Sequence, residues 1–295
     1  MSDESWTIGS LLRWTTDYLR QHGSETPRLD AEVLLAEAQG CQRIDLYTTY
    51  DESAADETRV TYRELVRRRA EGTPVAYLVG RREFYSHDFQ VTSDVLIPRP
   101  ETEFVLVALL DLVKQIDAHP LEIADVGTGS GVLAVCAALH VPDCRVTAID
   151  ISAAALQVAK SNAAAHQVED RLQFVEGDLL DILPADQMLD FVLSNPPYVR
   201  EAEWESLAPD VRNYEPRQAL VAGANGTEVI AQLIRQSPAH LKPGGWIVIE
   251  ISPMILAAVE ELFGEAAAFG PTQIINDLAQ HPRVVIAQRQ VGHDS

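Results

Sequence analysis

Short apolar segments alternate with helical or polar segments over the second half of the chain. Six of them have the length and composition of buried strands: LEIADV (121–126), CRVTAID (144–150), LQFVEG (172–177), LDFVLS (189–194), GWIVIEI (245–251) and RVVIAQRQ (283–290). Strands that alternate with helices in this way predict an α/β domain with a mostly parallel, doubly wound sheet. Ligands of such sheets bind beyond the carboxyl ends of the strands, so the loops after these segments are the first place to look for chemistry.

The N-terminal part of the chain shows helical spacing of its apolar positions instead. In TIGSLLRWTTDYLRQHG, Thr7 is a candidate N-cap and Gly23 a stop signal. PRLDAEVLLAEAQG begins at Pro27 and ends at Gly40, and a charged helical segment, DETRVTYRELVRRRAEG, follows a short turn. We therefore predict a small all-α bundle over residues 1–72. The arginine run in its last helix favours a solvated helix face over an RNA site.

The segment RREFYSHDFQV alternates in polarity around a polar turn at 86–88, which predicts a β-hairpin. LIPRPETE follows, and Pro98 and Pro100 favour an extended backbone before the next helix opens. We interpret residues 73–97 as a connector with a β-hairpin, and residues 98–295 as the larger domain.

The net charge of the chain limits the classes of binding partner that are expected. The 295 residues carry 44 acidic and 23 basic side chains, a formal net charge of -21. Such an acidic surface repels phosphate backbones, so general nucleic-acid binding is not expected. The hydrophobic fraction of 46% suits a globular core rather than a disordered chain.

The spacing of the cysteines and the length of the apolar runs indicate the cellular compartment in which the protein is expected. Cys41, Cys136 and Cys144 are odd in number and widely spaced, with neither zinc-ligand spacing nor a disulfide framework. The N-terminus is acidic and polar, unlike a secretory signal, and no apolar run has the length of a membrane span. We therefore expect a cytoplasmic protein with buried thiols and no membrane partner.

The first predicted strand of the larger domain ends in DVGTGSG (125–131). Glycines at three alternate positions, Gly127, Gly129 and Gly131, allow a tight turn and a close approach of the backbone to a ligand. A dinucleotide fingerprint would need its third glycine one position later, where Val132 stands. The spacing therefore argues against NAD.

Two acids follow the next two predicted strands. Asp150 can accept two hydrogen bonds from a ribose diol, while Ser152 is placed to cap the helix that follows. Asp178 can accept from an adenine amino group and Leu179 can pack on the ring, although Asp178 after Gly177 can also be an ordinary turn residue. Together with the glycine spacing, these acids favour S-adenosylmethionine, which has an adenosine but no pyrophosphate.

The fourth predicted strand is followed by NPPY (195–198). Each residue before a proline favours an extended backbone, and neither proline can donate to a sheet. Asn195 Oδ1 and the Pro196 carbonyl are therefore two acceptors on one stiff segment, able to take both hydrogens of a planar –NH₂ group. The lone pair of that nitrogen then faces a methyl donor, and Tyr198 can stack on the acceptor. An ordinary strand-ending turn is the alternative.

An amide or exocyclic amine is a poor nucleophile because its lone pair is delocalised. Holding it in a near-attack geometry supplies roughly 7–11 kcal/mol of the barrier, so positioning matters more than proton transfer. The nitrogen becomes acidic only after it is methylated, so no general base is required before that step.

The stretches GTPVAYLVGRREFYS, VLIPRPETE, DVGTGSG, SNPPYV, NYEPRQAL and GTE, with the helical N-terminus, resemble the release-factor glutamine methyltransferases of the HemK/PrmC type. The resemblance implies a small N-terminal helical domain, a hairpin connector and a Rossmann-like class I methyltransferase domain. The implied reaction moves a methyl group from S-adenosyl-L-methionine to the side-chain amide nitrogen (N5) of the glutamine in the GGQ motif of peptide-chain release factors. S-adenosyl-L-homocysteine is the product, and no metal is involved.

The resemblance also implies site residues. Cofactor contacts are implied at Gly127, Thr128, Gly129, Ser130, Gly131, Asp150, Leu179 and Asn195, to which the adenine argument adds Asp178. The implied holders of the target glutamine are Asn195, Pro196, Pro197 and Tyr198, with Asn195, Pro196 and Tyr198 as the catalytic set.

Several positions leave their roles open. Arg99 and Glu101 either line the mouth of the site or only orient the first helix of the domain, and Glu215 and Arg217 either cover the acceptor or pack beside it. Asn225, Ser252 and Gln280 depart from the family pattern, which favours an acid at the first position and glycine at the other two. These departures lie outside the glycine loop and bear on substrate details more than on the reaction.

Three other functions compete with this interpretation. A nucleic-acid amino methyltransferase acting on adenine N6 or on a guanine or cytosine amine would use the same NPPY segment, but the charge and the lack of a basic recognition segment disfavour it. A non-catalytic cofactor-binding scaffold would not need NPPY, and an NAD-dependent oxidoreductase fails on glycine spacing. We expect the N-terminal bundle to bind the release factor.

Overall fold

The computed structural model describes residues 6–116 and 119–291. These residues form two compact units. The first contains the described residues up to Arg81 together with Ala208–Tyr214, and the second contains Arg82–Leu207 and the described residues from Glu215 onward.

The first unit is helical, as its apolar spacing predicts. Its helices are α1 (Ile8–Gln21), α2 (Pro27–Gln39), α3 (Asp45–Thr48), α4 (Asp56–Ala70) and α5 (Val75–Val79). Thr7 caps α1 by accepting a hydrogen bond from the Ser10 amide at 3.1 Å, and Gly40 ends α2 in the left-handed conformation, with φ of 66°. Leu12, Leu34 and Leu35 are fully buried between the helices, so the bundle has its own core.

A hairpin of β1 (Arg81–Phe84) and β2 (His87–Gln90) follows. Its turn consists of Tyr85 and Ser86, with φ of 48° and 63°, so the predicted turn at 86–88 is displaced by one position. A two-residue hairpin turn needs a left-handed backbone at both positions to match the twist of its strands. His87 and Asp88 are polar because they belong to a strand whose buried residue is Phe89.

The second unit is built on a seven-stranded sheet. The remaining strands are β3 (Leu121–Val126), β4 (Cys144–Asp150), β5 (Leu172–Glu176), β6 (Leu189–Ser194), β7 (Val199–Arg200), β8 (Val221–Gly223), β9 (Leu241–Glu250), β10 (Gln273–Asn276) and β11 (Pro282–Gln288). The sheet order is β10-β11-β9-β6-β3-β4-β5, with β11 antiparallel to both neighbours and the other pairs parallel. The chain order reverses between β3 and β6, which is where such sheets bind ligands.

The remaining helices are α6 (Glu103–Val113), α7 (Val132–His140), α8 (Ala153–Ala165), α9 (Pro209–Tyr214), α10 (Glu228–His240) and α11 (Leu256–Glu265). Helix α9 belongs to the first unit, where the Tyr214 hydroxyl donates to the Glu71 carbonyl at 3.0 Å. Successive residues of β6 point to opposite faces of the sheet. Phe191 and Leu193 pack into one hydrophobic cluster with α6 and α7, and Val192 packs into another with α10 and α11. The sheet is therefore covered on both faces.

The predicted bounds of β3, β4 and β6 are confirmed to the residue, and the α/β prediction holds. Strand β9 begins earlier, at Leu241, and β10 and the small parallel pair β7–β8 were not predicted. Strand β10 has only four residues, QIIN, and the pattern of so short a segment does not distinguish a strand from a loop. Among the described helices, none combines the length and apolarity needed to cross a membrane.

Candidate active site

The loop between β3 and α7 is shaped by its glycines. Gly127, Gly129 and Gly131 have φ of 73°, 55° and 81°, a region that other residues enter at a cost. At Gly131 packing adds a second constraint, because a Cβ there would lie 3.0 Å from the Cβ of Ala159 on α8. The loop is tied to β4 by the amides of Gly127 and Thr128, which both donate to the Ile149 carbonyl at 2.9 Å.

Asp125 fastens this loop to the helix that follows it. Its Oδ2 accepts from the Thr128 hydroxyl at 2.6 Å and from the Ala134 amide at 3.0 Å. Burial raises the pKa of Asp125 to about 6, although both hydrogen bonds oppose that rise. Its Oδ1 has no hydrogen-bond partner among the described residues. Asp125 was not among the predicted site residues; its only signal in the sequence is an acid two positions before the first glycine of the loop.

Asp150 lies at the carboxyl end of β4, with both oxygens held by backbone amides. Oδ2 accepts from Gly129 at 2.9 Å, and Oδ1 accepts from Ser152 at 2.9 Å. Ser152 caps α8 through its own hydroxyl, which accepts from the Ala155 amide at 3.2 Å, as predicted. Burial raises the pKa of Asp150. Each carboxylate oxygen keeps acceptor capacity beyond its one backbone bond.

Asp178 and Leu179 follow β5 beside this acid. The Gly177 amide donates to the Asp150 carbonyl at 3.0 Å, which joins the ends of β4 and β5. Leu179 has φ of 55°, a left-handed backbone that is uncommon for a residue with a side chain and marks a constrained position. Both side chains belong to the same cavity wall.

The NPPY segment (195–198) leaves β6 next to the glycine loop. The Ser194 hydroxyl donates to the Val126 carbonyl at 2.7 Å, which ties the end of β6 to the end of β3. A Cβ on Gly127 would lie 4.0 Å from the backbone oxygen of Asn195. The loop and the NPPY segment are therefore neighbours at the switch point.

The Asn195 amide is held from the side. Its Nδ2 donates to the Thr102 hydroxyl at 3.0 Å, and Thr102 is only 2% exposed. Tyr198 packs against the hydrophobic cluster under α10 and α11, and burial raises its pKa to about 12. Glu250 at the end of β9 is 2% exposed, and burial raises its pKa to about 7. Thr102 and Glu250 were not predicted to belong to the site.

These segments enclose one cavity of about 300 Å³ in the second unit. Of the predicted site residues, those that line it are Gly127, Thr128, Gly129, Ser130, Asp150, Asp178, Leu179, Asn195 and Pro197. Gly131, Pro196 and Tyr198 lie outside this lining. The lining also includes Asp125, Thr102 and Gln218, which were not among the predicted site residues. The cavity combines hydrogen-bond acceptors at the strand ends with apolar walls, a composition suited to an adenosine-bearing ligand.

Each of the four residues whose roles were left open forms an ion pair. Arg99 forms an ion pair with Glu215 at 2.6 Å, and the other Glu215 oxygen accepts from the Ile97 amide at 3.1 Å. Glu101 lies 3.7 Å from Arg283. Arg217 pairs with Glu201 and lies over the Trp204 ring, 5.3 Å from its centroid. Arg99 and Glu215 therefore brace the segment before α6, and these contacts favour structural roles.

The three departures from the family pattern have local explanations. Asn225 donates from its backbone and side chain to the Glu228 carboxylate, at 2.7 and 3.1 Å, just before α10. The Ser252 hydroxyl accepts from the Met254 amide at 3.4 Å and caps a short 3-10 helix. Gln280 has φ of 65°, which explains why glycine suits this position.

The described residues, 6–116 and 119–291, contain no group of three or more histidine, cysteine, aspartate or glutamate side chains arranged to hold a metal ion.

The parallel sheet, the glycine loop and the cavity at the switch point define a class I methyltransferase fold. The catalytic domain of human METTL16, in complex with an RNA hairpin, superposes with a TM-score of 0.57 at 16% identity, covering 78% of this chain and 83% of that one. At that identity the likeness shows the fold alone. The family models for the PrmC N-terminal domain and the methyltransferase small domain match residues 10–80 and 107–210.

Curated relatives narrow the class to one family. The release factor glutamine methyltransferase of Rhodopirellula baltica is 47% identical over 98% of this chain and 98% of its own length. That of Koribacter versatilis is 38% identical over 92% of this chain and 95% of its own length. The chain belongs to the release factor glutamine methyltransferase family, which confirms the resemblance seen in its motifs.

Proposed function

We propose that this protein transfers a methyl group from S-adenosyl-L-methionine to the side-chain amide nitrogen (N5) of the glutamine in the GGQ motif of peptide-chain release factors. One observation carries the chemistry. Asn195 and Pro197 line the same cavity as the glycine loop and Asp150. A methyl donor bound by the loop is thereby brought to the segment suited to an –NH₂ acceptor. The relatives' names supply the substrate, the release factor.

The cofactor end of the cavity holds the adenosine. Asp150, fixed by two backbone amides, offers one free acceptor site on each oxygen to the two ribose hydroxyls. Asp178 accepts from the adenine amino group and Leu179 packs on the ring. The tight backbone of the glycine loop (127–131) lets the methionine part of the ligand approach closely. S-adenosyl-L-homocysteine remains after transfer, and no step requires a metal.

The acceptor end holds the glutamine amide. Asn195 Oδ1 and the Pro196 carbonyl accept its two hydrogens, so that the nitrogen lone pair points along the S–CH₃ bond. The nitrogen forms the new N–CH₃ bond as the sulfonium sulfur takes back the bonding electron pair. The methylated nitrogen then loses one proton to water. Near-attack positioning of this kind accounts for roughly 7–11 kcal/mol of a barrier.

The same two acceptors would also hold the amino group of a base, which keeps a nucleic-acid substrate as the second candidate. The net charge of -21 opposes it, because phosphate backbones are repelled by an acidic surface. The relatives are named for release factors, in agreement with the charge argument.

The helical N-terminal unit, predicted over residues 1–72, gives the protein substrate a binding surface separate from the chemistry. The GGQ glutamine belongs to a large partner, and a methyltransferase domain alone offers few surfaces to recognise it. The reaction is expected in the cytoplasm. Deleting residues 1–72 should leave cofactor binding intact and abolish release-factor methylation; unchanged turnover on the full-length partner would refute this assignment.

Methyl transfer from labelled S-adenosylmethionine to a purified release factor tests the proposed function. A GGQ→GGA release-factor variant is the matched control, and bulk RNA and DNA are parallel substrates. Label on the release factor that is lost in the variant supports the proposal. Label on nucleic acid alone would refute the release factor as the substrate. It would remain consistent with the proposed role of the NPPY segment.

A further inference from the structure

One buried side chain of the second unit, Asn162 on α8, joins the β-hairpin to the glycine loop. Its Oδ1 accepts from the Gln90 amide at the end of β2, at 2.7 Å, and its Nδ2 donates to the Gln90 carbonyl at 3.0 Å. Nδ2 also donates to the Ser130 carbonyl in the glycine loop, at 2.8 Å. Asn162 is only 1% exposed, so water has little access to its amide.

Both of these segments lead into the wall of the cavity. Ser130 lines the cavity directly. After β2 the chain continues through residues 94–96, which line the same cavity, although residues 73–97 were predicted only as a connector. Asn162 itself is not part of the lining. It is therefore placed to fix two parts of the cavity wall relative to each other without contacting a ligand.

The three bonds fix the orientation of the Asn162 amide. Its –NH₂ group faces two carbonyl oxygens and its Oδ1 faces an N–H group, so donors and acceptors match. A turned amide would place its oxygen against both carbonyls and its –NH₂ group against the Gln90 N–H. A buried polar group whose bonds are satisfied in this way rigidifies the segments that it joins.

Helix α8 meets the glycine loop at a second point. Ala159 lies one turn before Asn162, and a Cβ added to Gly131 would be 3.0 Å from the Ala159 Cβ. The helix therefore contacts two consecutive residues of the loop, Ser130 through a hydrogen bond and Gly131 through close packing.

Two other contacts hold the hairpin on α8 and do not involve the glycine loop. Phe89 is fully buried and belongs to the same hydrophobic cluster as Ala163 of α8. His166, at the end of α8, donates from Nε2 to the Asp88 carbonyl at 2.8 Å. The hairpin is thus attached to α8 without Asn162. What Asn162 adds is the bond to the loop, which a role in hairpin packing alone does not require.

We propose that Asn162 is a positioning residue that holds the glycine loop in register with the segment after β2, and that the affinity of the cavity for S-adenosylmethionine depends on it. This inference rests on the proposed function and adds the residue that connects the cofactor site to the hairpin. Because one side chain bonds both segments, a ligand that orders the loop also orders the hairpin, and the coupling acts in both directions.

Three variants of the full-length protein test the link by calorimetric titration with S-adenosyl-L-homocysteine. Asn162→Ala removes all three bonds, and Asn162→Asp keeps the bond from the Gln90 amide but cannot donate to either carbonyl. His166→Ala is the matched control, because it removes a bond between α8 and β2 and none to the glycine loop. Both Asn162 variants should raise Kd about tenfold, and His166→Ala should leave it within about twofold of the wild-type value.

Two outcomes of this titration would overturn the inference. One is a wild-type Kd in Asn162→Asp. The other is an equal loss of affinity in Asn162→Ala and His166→Ala, which would mean that attachment of the hairpin, rather than the bond to the loop, sets the affinity.

Steady-state kinetics separate positioning of the loop from a general loss of structure. With a release factor as substrate, Asn162→Asp should raise the KM for S-adenosylmethionine about tenfold and leave kcat within about twofold, because the loop binds the cofactor and not the acceptor. A lower kcat with an unchanged KM for S-adenosylmethionine would contradict the proposed role.

Hydrogen–deuterium exchange measures the coupling from the hairpin side. Saturating S-adenosyl-L-homocysteine should slow amide exchange in β2 in the wild type and in His166→Ala, but not in Asn162→Ala. Residues 87–90 do not line the cavity, so this protection cannot come from contact with the ligand. Equal protection of β2 in the wild type and in Asn162→Ala would overturn the inference.

If neither Asn162 variant folds, the wild-type protein still decides. In ¹⁵N-labelled protein, the Gln90 amide resonance should shift when S-adenosyl-L-homocysteine binds, and an unshifted resonance at saturation would overturn the inference. The proposed function fails in a different way, namely if the wild type binds no S-adenosyl-L-homocysteine or methylates no release factor. Normal binding by the wild type with the same Kd in the Asn162 variants would refute only the role of Asn162.

Discussion

The two ends of the cavity are held in place by different means. At the cofactor end, Asp150 is fixed by the amides of Gly129 and Ser152, and the loop by glycines with left-handed backbones. At the acceptor end, Asn195 is held by a side chain, the hydroxyl of Thr102. Backbone donors are present whatever the side chain of a non-proline residue is, whereas a side-chain hydroxyl is lost when its residue is substituted. We therefore expect single substitutions to disturb the support of the acceptor end more readily than that of the cofactor end.

Asn195→Ala should have the largest effect. Removing Oδ1 takes away one of the two acceptors that orient the target nitrogen, so turnover should fall by at least ~10²-fold, or ~2.7 kcal/mol. Steady-state kinetics with a release factor measure it. Asn195→Asp keeps an acceptor but loses the donor to Thr102, and should retain more activity than the alanine variant. Near-normal turnover in Asn195→Ala would refute the role of the NPPY segment.

Asp150→Ala should act on the opposite end of the cavity. Losing a charged acceptor for the ribose should weaken S-adenosylmethionine binding by ~1.5–3 kcal/mol, with a smaller change in turnover at saturating cofactor. Calorimetric titration measures the affinity, and exposed Asp170, changed to alanine, is the control. Equal losses of affinity in Asp150→Ala and Asp170→Ala would contradict the ribose contact.

Glu250→Gln should change how stability depends on pH. The folded-state pKa of Glu250, about 7, lies above its ordinary value of 4.5, so the folded protein binds more protons between those values. The wild-type free energy of unfolding therefore falls, through this group, as the pH rises from 4.5 to 7. Glu250→Gln should gain ~3 kcal/mol relative to the wild type at pH 8 compared with pH 4.

Chemical denaturation at pH 4 and pH 8 measures this difference. The pH-dependent contribution of Asp125 to stability cancels from the comparison because both proteins contain this residue. Equal stability differences from the wild type at pH 8 and at pH 4 would mean that Glu250 does not change its ionisation between these pH values.

Gly131→Ala should have the smallest of these effects. Its φ of 81° and the 3.0 Å approach to Ala159 should lower the free energy of unfolding by ~1–2 kcal/mol. Gly264 in α11 has open space around it, so Gly264→Ala should instead stabilise the protein, by up to ~1 kcal/mol. Thermal unfolding distinguishes the two, and equal shifts would contradict the account of the glycine loop.

The same contrast explains what could be predicted from the sequence. The glycine loop, Asp150 and the Ser152 cap are local patterns, within reach of period and spacing arguments. Thr102 and Asn195 are 93 positions apart, and Glu215 is 118 positions from the Ile97 amide that it binds. No periodic pattern in the sequence connects such pairs, because only the folded chain brings them together.

The displaced hairpin turn and the missed β10 have a different cause. The polar run at 86–88 was interpreted as a turn because polarity marks turns as well as exposed strand faces. The left-handed backbone at Tyr85 and Ser86 has no signature in those two side chains. Strand β10 depends on pairing with β11 rather than on its own four residues.

The most direct measurement is peptide mapping by tandem mass spectrometry of a release factor incubated with this protein and S-adenosylmethionine. We expect one added methyl group on the side-chain amide of the GGQ glutamine, greatly reduced when Asn195→Ala replaces the wild-type protein. A methyl group on any other residue, or an unmodified release factor beside methylated RNA, would contradict the proposed function.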